Sequence, residues 1–162
     1  MKETIFLIPG ASPEASKPIF SALKTTLKLD YDIVELEKAN EASLLLKAKN
    51  VRSKILVGKS VGGRIVLDYQ LKQKDSSALV LLAPAVRPDD KYKEIEIPVL
   101  IVHGTKDYAI PLENSRELEK CFRSSKFIEV TNVGHGFGGK ELQTAKNIAD
   151  WIGSLGKNTF QS

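Results

Sequence analysis

Three side chains of this 162-residue sequence are of the types that together attack and release an acyl group: Ser60, Asp107 and His135. Ser60 lies in Gly58-Lys59-Ser60-Val61-Gly62, with Gly63 following. Glycines two positions before and after a serine suit a nucleophile held at the tip of a very sharp strand-to-helix turn. A Cβ at either flanking position would clash there, and the hydroxyl is left exposed near the positive end of the next helix. The pattern alone also fits an ordinary βα turn. A serine hydroxyl needs a base to take its proton, and histidine titrates in the useful range. A carboxylate then fixes the imidazole tautomer and stabilises its charged form.

Other residues compete for each role. His103 stands at a strand end, where bracing a loop is the expected task, whereas His135 stands between glycines on a loop and can swing toward Ser60. Asp89 and Asp90 rival Asp107, which itself could simply cap the helix near Pro111. Donors for a developing oxyanion are expected from the backbone N–H of Val61 and of Ala11, with Ser12 as the fallback; Pro9 has no N–H to give. Lys59 and Arg64 flank the nucleophile and could attract an acidic substrate. The expectation for Lys59 is a solvent-facing side chain, and for Arg64 a pairing with Asp68 at i+4. Cys121 is expected in a helix core. The two histidines lack neighbouring ligand types, and no glycine-rich phosphate loop occurs, so neither a metal nor a cofactor is implied.

These residues must be positioned by something, and the chain alternates short apolar runs with helix-period segments, the signature of a parallel α/β sheet. Strands are expected at Thr4–Ile8, Asp32–Leu36, Lys54–Val57, Leu79–Leu82, Val99–Val102 and Phe127–Val130. Helices are expected at about Ala15–Leu29, Glu41–Asn50, Val61–Lys74, Leu112–Phe122 and Glu141–Leu155. Ile19, Leu23 and Leu27 repeat at helical spacing, as do Leu142, Ala145, Ile148, Ile152 and Leu155, and both stripes read as core. In a parallel sheet every carboxyl end lies on one edge, where sites form. Ser60, Asp107 and His135 each fall on a loop at that edge.

Composition narrows the class. The chain is 42% hydrophobic and 27% charged, as a soluble globular domain would be. The net charge of +4 comes from 13 basic and 9 acidic residues through Leu81, then 11 of each. It forms no block and no basic-aromatic pattern, so a solvated surface is expected rather than a nucleic-acid partner. The apolar run Ile5–Ile8 ends at Pro9-Gly10, too short for a signal peptide core or a membrane span. With one cysteine, this points to a cytoplasmic protein. Oligomeric state leaves no trace in the sequence.

Taken together, the segments Phe6-Leu7-Ile8-Pro9-Gly10-Ala11, Gly58 to Gly63, Pro98 to Gly104 with Asp107 and Pro111, and Gly134-His135 resemble the α/β-hydrolase superfamily over nearly the whole chain. Gly10-Ala11 and Gly63-Arg64 resemble more loosely its small dienelactone-hydrolase-like branch, which often carries a cysteine nucleophile where this chain has Ser60. The resemblance implies one α/β-hydrolase domain over residues 1–162: a three-layer α/β sandwich on a six-stranded parallel sheet. The second strand would lie outside the first, and the third to sixth on its other side. It also implies a minimal version of the fold, lacking the first two strands and the cap domain, with an open site between Pro84 and Ile97. A Ser-His-Asp triad of Ser60, His135 and Asp107 would then hydrolyse a small-molecule carboxylic ester or thioester, carboxylesterase-like, through an acyl-enzyme. The alternative is a catalytically inactive hydrolase fold serving as a binding or scaffold protein.

Overall fold

Strands without a polar face must be covered on both sides, and the fold follows from that need. In the computed structural model, which describes residues 2–159, six strands form one sheet: β1 (Thr4–Ile8), β2 (Asp32–Glu35), β3 (Lys54–Lys59), β4 (Ala78–Leu82), β5 (Val99–Gly104) and β6 (Ser125–Val130). All are parallel, in the order β2-β1-β3-β4-β5-β6. Strand ends differ from the sequence expectation by one or two residues; β3 continues through Lys59 and β5 through Gly104.

Helices α1 (Pro13–Leu27) and α5 (Glu141–Thr159) cover one face. Helices α2 (Glu41–Ala48), α3 (Val61–Gln73) and α4 (Leu112–Glu119) cover the other. Against the first face pack Ile19 and Leu23 of α1 and Ile148 and Ile152 of α5, meeting Ile5, Leu7, Ile55 and Val57. Against the second, Leu44, Val66, Leu67 and Leu118 meet Phe6, Ile8 and Leu56. Each Leu or Ile so buried contributes roughly 1.5–3 kcal/mol, which accounts for the apolar stripes as packing. Leu142 is the exception: it is half exposed, at the start of α5, and lies outside the core.

Right-handed crossovers set the layers. The chain leaves β1 through α1 to β2, then returns through α2 past β1 to β3, so the winding reverses between β1 and β3. A crevice opens at the carboxyl end of such a switch, and the loops after β1 and β3 flank it. Between β4 and β5, residues 83–98 contain one 3-10 turn, Asp90–Glu94, and no α-helix. Its Tyr92 is buried and stacks on Phe122 with ring centroids 5.7 Å apart. None of the described helices is long and apolar enough to cross a membrane.

Candidate active site

At the end of β3 the backbone turns through Ser60 at φ 54°, ψ −117° before α3 begins at Val61. Side chains other than glycine seldom occupy that region, and holding one there costs on the order of 1–3 kcal/mol. Three contacts fix it. The Ser60 N–H donates to the Leu82 carbonyl at 2.9 Å, and the Ser60 carbonyl accepts from Gly63 and Ala85, each at 3.0 Å. The turn is tight enough that a Cβ on Gly58 would stand 2.2 Å from the Gly62 carbonyl oxygen, and one on Gly62 would stand 2.3 Å from that of Ile8. Both obstacles are backbone and cannot rotate aside. The half-buried serine thus sits at a sterically enforced corner, as the glycine spacing requires.

The loop after β1 lies directly over this corner, since a Cβ on Gly10 would come within 3.2 Å of Ser60 Cβ. The Gly10 N–H is engaged by the buried Ser16 Oγ at 3.3 Å. Among the described residues the Ala11 N–H has no acceptor, and Val61, first in its helix, has no carbonyl one turn back to bond. Neither of the expected oxyanion donors is therefore engaged by another group among the described residues. Ser12 is instead the N-cap of α1, its carbonyl accepting from Ala15.

Asp107 follows β5 with its side chain wholly buried. One oxygen, Oδ1, accepts from the Ala109 and Ile110 N–H groups, both at 2.8 Å. The other, Oδ2, lies 2.6 Å from His135 Nδ1 and 3.1 Å from His103 Nε2. Burial pushes the carboxyl pKa up, but the Ile110 N–H, His135 and the Ala109 N–H outweigh it, and the group titrates below the usual carboxylate range. Asp107 therefore braces its own turn and also holds His135. A carboxylate accepts only, so Nδ1 of a neutral His135 carries the proton and its Nε2 keeps a lone pair. His135 itself is partly exposed, and the neighbouring Gly136 packs toward the Ala15 carbonyl at the start of α1, next to the loop over Ser60. The Ser60 hydroxyl has no hydrogen-bond partner among the described residues, so the imidazole and the hydroxyl share one rim without being bonded.

His103 lies inside β5, not beyond it, and is completely buried. Its Nε2 faces two acceptors, the Ile110 carbonyl at 2.8 Å and Asp107, so that nitrogen carries the proton and Nδ1 accepts from Ser115 Oγ at 2.6 Å. Desolvation lowers its pKa below the ordinary value, against the opposing pull of the Ile110 carbonyl and Asp107. It braces the acid's loop, as its place near a strand end suggests. That it touches the acid itself is not legible in the sequence.

Other expectations are corrected. Lys59 is not solvent-facing: its side chain is 2% exposed, because the last residue of an interior strand projects into the helix layer rather than into water. Arg64 is exposed on α3, and no ion pair with Asp68 forms. Cys121 lies past the end of α4, half-buried, with its thiol donating weakly to the Glu117 carbonyl at 3.8 Å. Asp89 caps the 3-10 turn by accepting from Lys91, and Asp90 points into solvent beside Lys93; neither meets a histidine.

A family profile described as TAP-like protein matches residues 73–151. The AB hydrolase superfamily protein YisY of Bacillus subtilis is 38% identical over 55 residues, 32% of this chain, and the chain spans only 20% of that relative's length. Solved structures match at lower identity over more of the chain. Est1E from Butyrivibrio proteoclasticus has a TM-score of 0.83 at 17% identity, covering 95% of this chain and 88% of its own. The predicted CIB-like hydrolase from Thermoplasma acidophilum has a TM-score of 0.74 at 21% identity, covering 93% and 86%. The esterase RhEst1 from Rhodococcus sp. ECU1013 has a TM-score of 0.75 at 15% identity, covering 95% and 91%.

Proposed function

We propose that the chain is a serine hydrolase of the α/β-hydrolase superfamily, cleaving carboxylic esters or thioesters through an acyl-enzyme on Ser60. The observation that carries this reading is the serine held at φ 54°. Glycine would relax that corner, so a serine there supplies something glycine cannot, and what it adds is a hydroxyl.

Nε2 of His135 accepts the Ser60 proton as Oγ attacks the carbonyl carbon, and the carbonyl electron pair moves to oxygen. The Val61 and Ala11 N–H groups receive that oxyanion. Asp107 holds Nδ1–H and stabilises the imidazolium. The tetrahedral species then collapses, and the departing alkoxide or thiolate takes the proton from Nε2. Water repeats the sequence on the acyl-enzyme and frees the carboxylic acid. Apo sites of this kind often have a long nucleophile–base contact that tightens around substrate. With no helix between β4 and β5 to close over it, the site suits small, loosely selected acyl groups. A cytoplasmic location is part of the same proposal, resting on the lone Cys121.

The unbonded Ser60–His135 pair favours one rival, an inactive fold used for binding. A fluorophosphonate probe separates the two. Labelling that disappears in Ser60→Ala and falls sharply in His135→Ala supports the hydrolase. An unlabelled wild-type protein that also leaves short p-nitrophenyl esters intact establishes the rival.

A further inference from the structure

One polar side chain interrupts the apolar stripe of α1. Ser16 stands in register with Ile19, Phe20, Leu23 and Leu27 on the buried face and is itself 1% exposed. Alanine would suit such a position better, because a hydroxyl taken out of water is unfavourable unless it is hydrogen-bonded. The Ser16 hydroxyl has one partner among the described residues: its Oγ accepts from the Gly10 N–H at 3.3 Å. Helical side chains lean toward the amino end of their helix, so a serine near the start of α1 reaches back to the loop that precedes it.

That loop is Pro9-Gly10-Ala11-Ser12-Pro13. Its two prolines fix φ at both ends and have no N–H, which leaves N–H groups on Gly10, Ala11 and Ser12. Among the described residues, only that of Gly10 has an acceptor. Gly10 also lies close against the nucleophile: a Cβ there would stand 3.2 Å from Ser60 Cβ and 3.8 Å from Ser60 Oγ. The bond from Ser16 thus ties the loop to α1 at the residue that faces Ser60, next in the chain to the Ala11 N–H.

We propose that Ser16 is a positioning residue: its hydroxyl holds the Gly10 N–H and thereby keeps the Ala11 N–H in place for the oxyanion. This rests on the reading of Ser60 as nucleophile and of Ala11 as an oxyanion donor. With no acceptor at position 16, the Gly10 N–H is left buried and unpaired, and the loop must shift to bring it to water. An oxyanion donor is effective at about 2.7–3.1 Å from the oxygen it stabilises, so even a small shift weakens it.

Amide hydrogen exchange followed by NMR tests the tie without reference to activity. The Gly10 N–H should be protected in the wild-type protein and exchange about tenfold faster or more in Ser16→Ala. On p-nitrophenyl acetate, Ser16→Ala should lower kcat about tenfold with KM unchanged. The inhibition constant of a trifluoromethyl ketone, which closes on a serine as an oxyanion, should rise by about the same factor. Ser16→Cys keeps the shape but accepts weakly, and should be impaired in the same three measurements; it also serves alone should Ser16→Ala fail to fold. Unchanged Gly10 exchange overturns the proposal, as do wild-type values of kcat and the inhibition constant. A Ser16→Cys variant that behaves as wild type does so too, since packing and not the hydrogen bond would then hold the loop. A wild-type protein that neither labels with fluorophosphonate nor turns over ester removes the hydrolase reading, and the exchange measurement still judges whether Ser16 holds the loop.

Discussion

Replacing Asp107 by Asn deletes one charge at almost constant volume, and the hydrogen bonds around it dictate the outcome. If the new amide oxygen takes the Oδ1 place, it keeps the Ala109 and Ile110 N–H groups, and the NH2 then faces His135 Nδ1 and His103 Nε2. His103 stays as it is, because the Ile110 carbonyl still accepts its proton. His135 is partly exposed and free to change tautomer, so its Nδ1 becomes the acceptor and its proton moves to Nε2. A ring protonated at Nε2 cannot take the Ser60 proton. The rate constant for acylation should therefore fall on the order of 10⁴-fold, about 5 kcal/mol of barrier, as in the serine-protease template. Stability should drop only by the ~1–3 kcal/mol of an imperfectly paired buried group. Turnover of p-nitrophenyl acetate alongside urea unfolding measures both. A loss of less than tenfold in a folded variant would refute the role of Asp107, and so would a rate loss fully matched by unfolding.

Ser60→Gly should remove the strain at φ 54°, raising stability by roughly 1 kcal/mol in urea melts while abolishing fluorophosphonate labelling; a destabilised variant would show that the corner is not strained. The buried His103 makes stability fall on acidification. Its folded pKa lies below 6.5, so as pH drops through 6.5 the unfolded chain takes up a proton that the native ring resists, and the loss levels off below the lowered native value. His103→Gln should flatten the urea midpoint between pH 7 and pH 5 relative to wild type, and an unchanged slope would refute this account.

Parallel strands covered on both faces announce themselves as continuous apolar runs, which is why β1, β3, β4 and β5 are legible from composition alone. Chain order and glycine spacing are equally readable, and the Ser60 corner follows from them because the steric demand at Gly58 and Gly62 is local. What stays hidden is whatever depends on the third dimension. Lys59 reads as a surface residue by type, and only the interior position of β3 buries it. Arg64 and Asp68 have ideal spacing for a pair, yet nothing on an exposed helix face compels one to form. His103 looks like a loop brace, but its approach to Asp107 depends on how residues 104–110 double back. Leu142 fits the helical period and still faces solvent, because α5 is only beginning to settle on the sheet at that turn.

The loops that carry Asp107 and His135 are stitched to each other. The Thr105 and Lys106 N–H groups bond the Val130 and Val133 carbonyls, the Asn132 N–H bonds Thr105 Oγ1, and a Cβ on Gly104 would strike the Val133 carbonyl at 2.4 Å. The serine corner is clasped just as closely by the loop after β1. The site is thus two preassembled blocks with a single seam, lying above β4, between hydroxyl and imidazole. The width of that seam is set by how the blocks lean on one another, so on the proposed mechanism substitutions at Ala83 or Pro84 should change proton transfer from Ser60 to His135 while leaving each block intact.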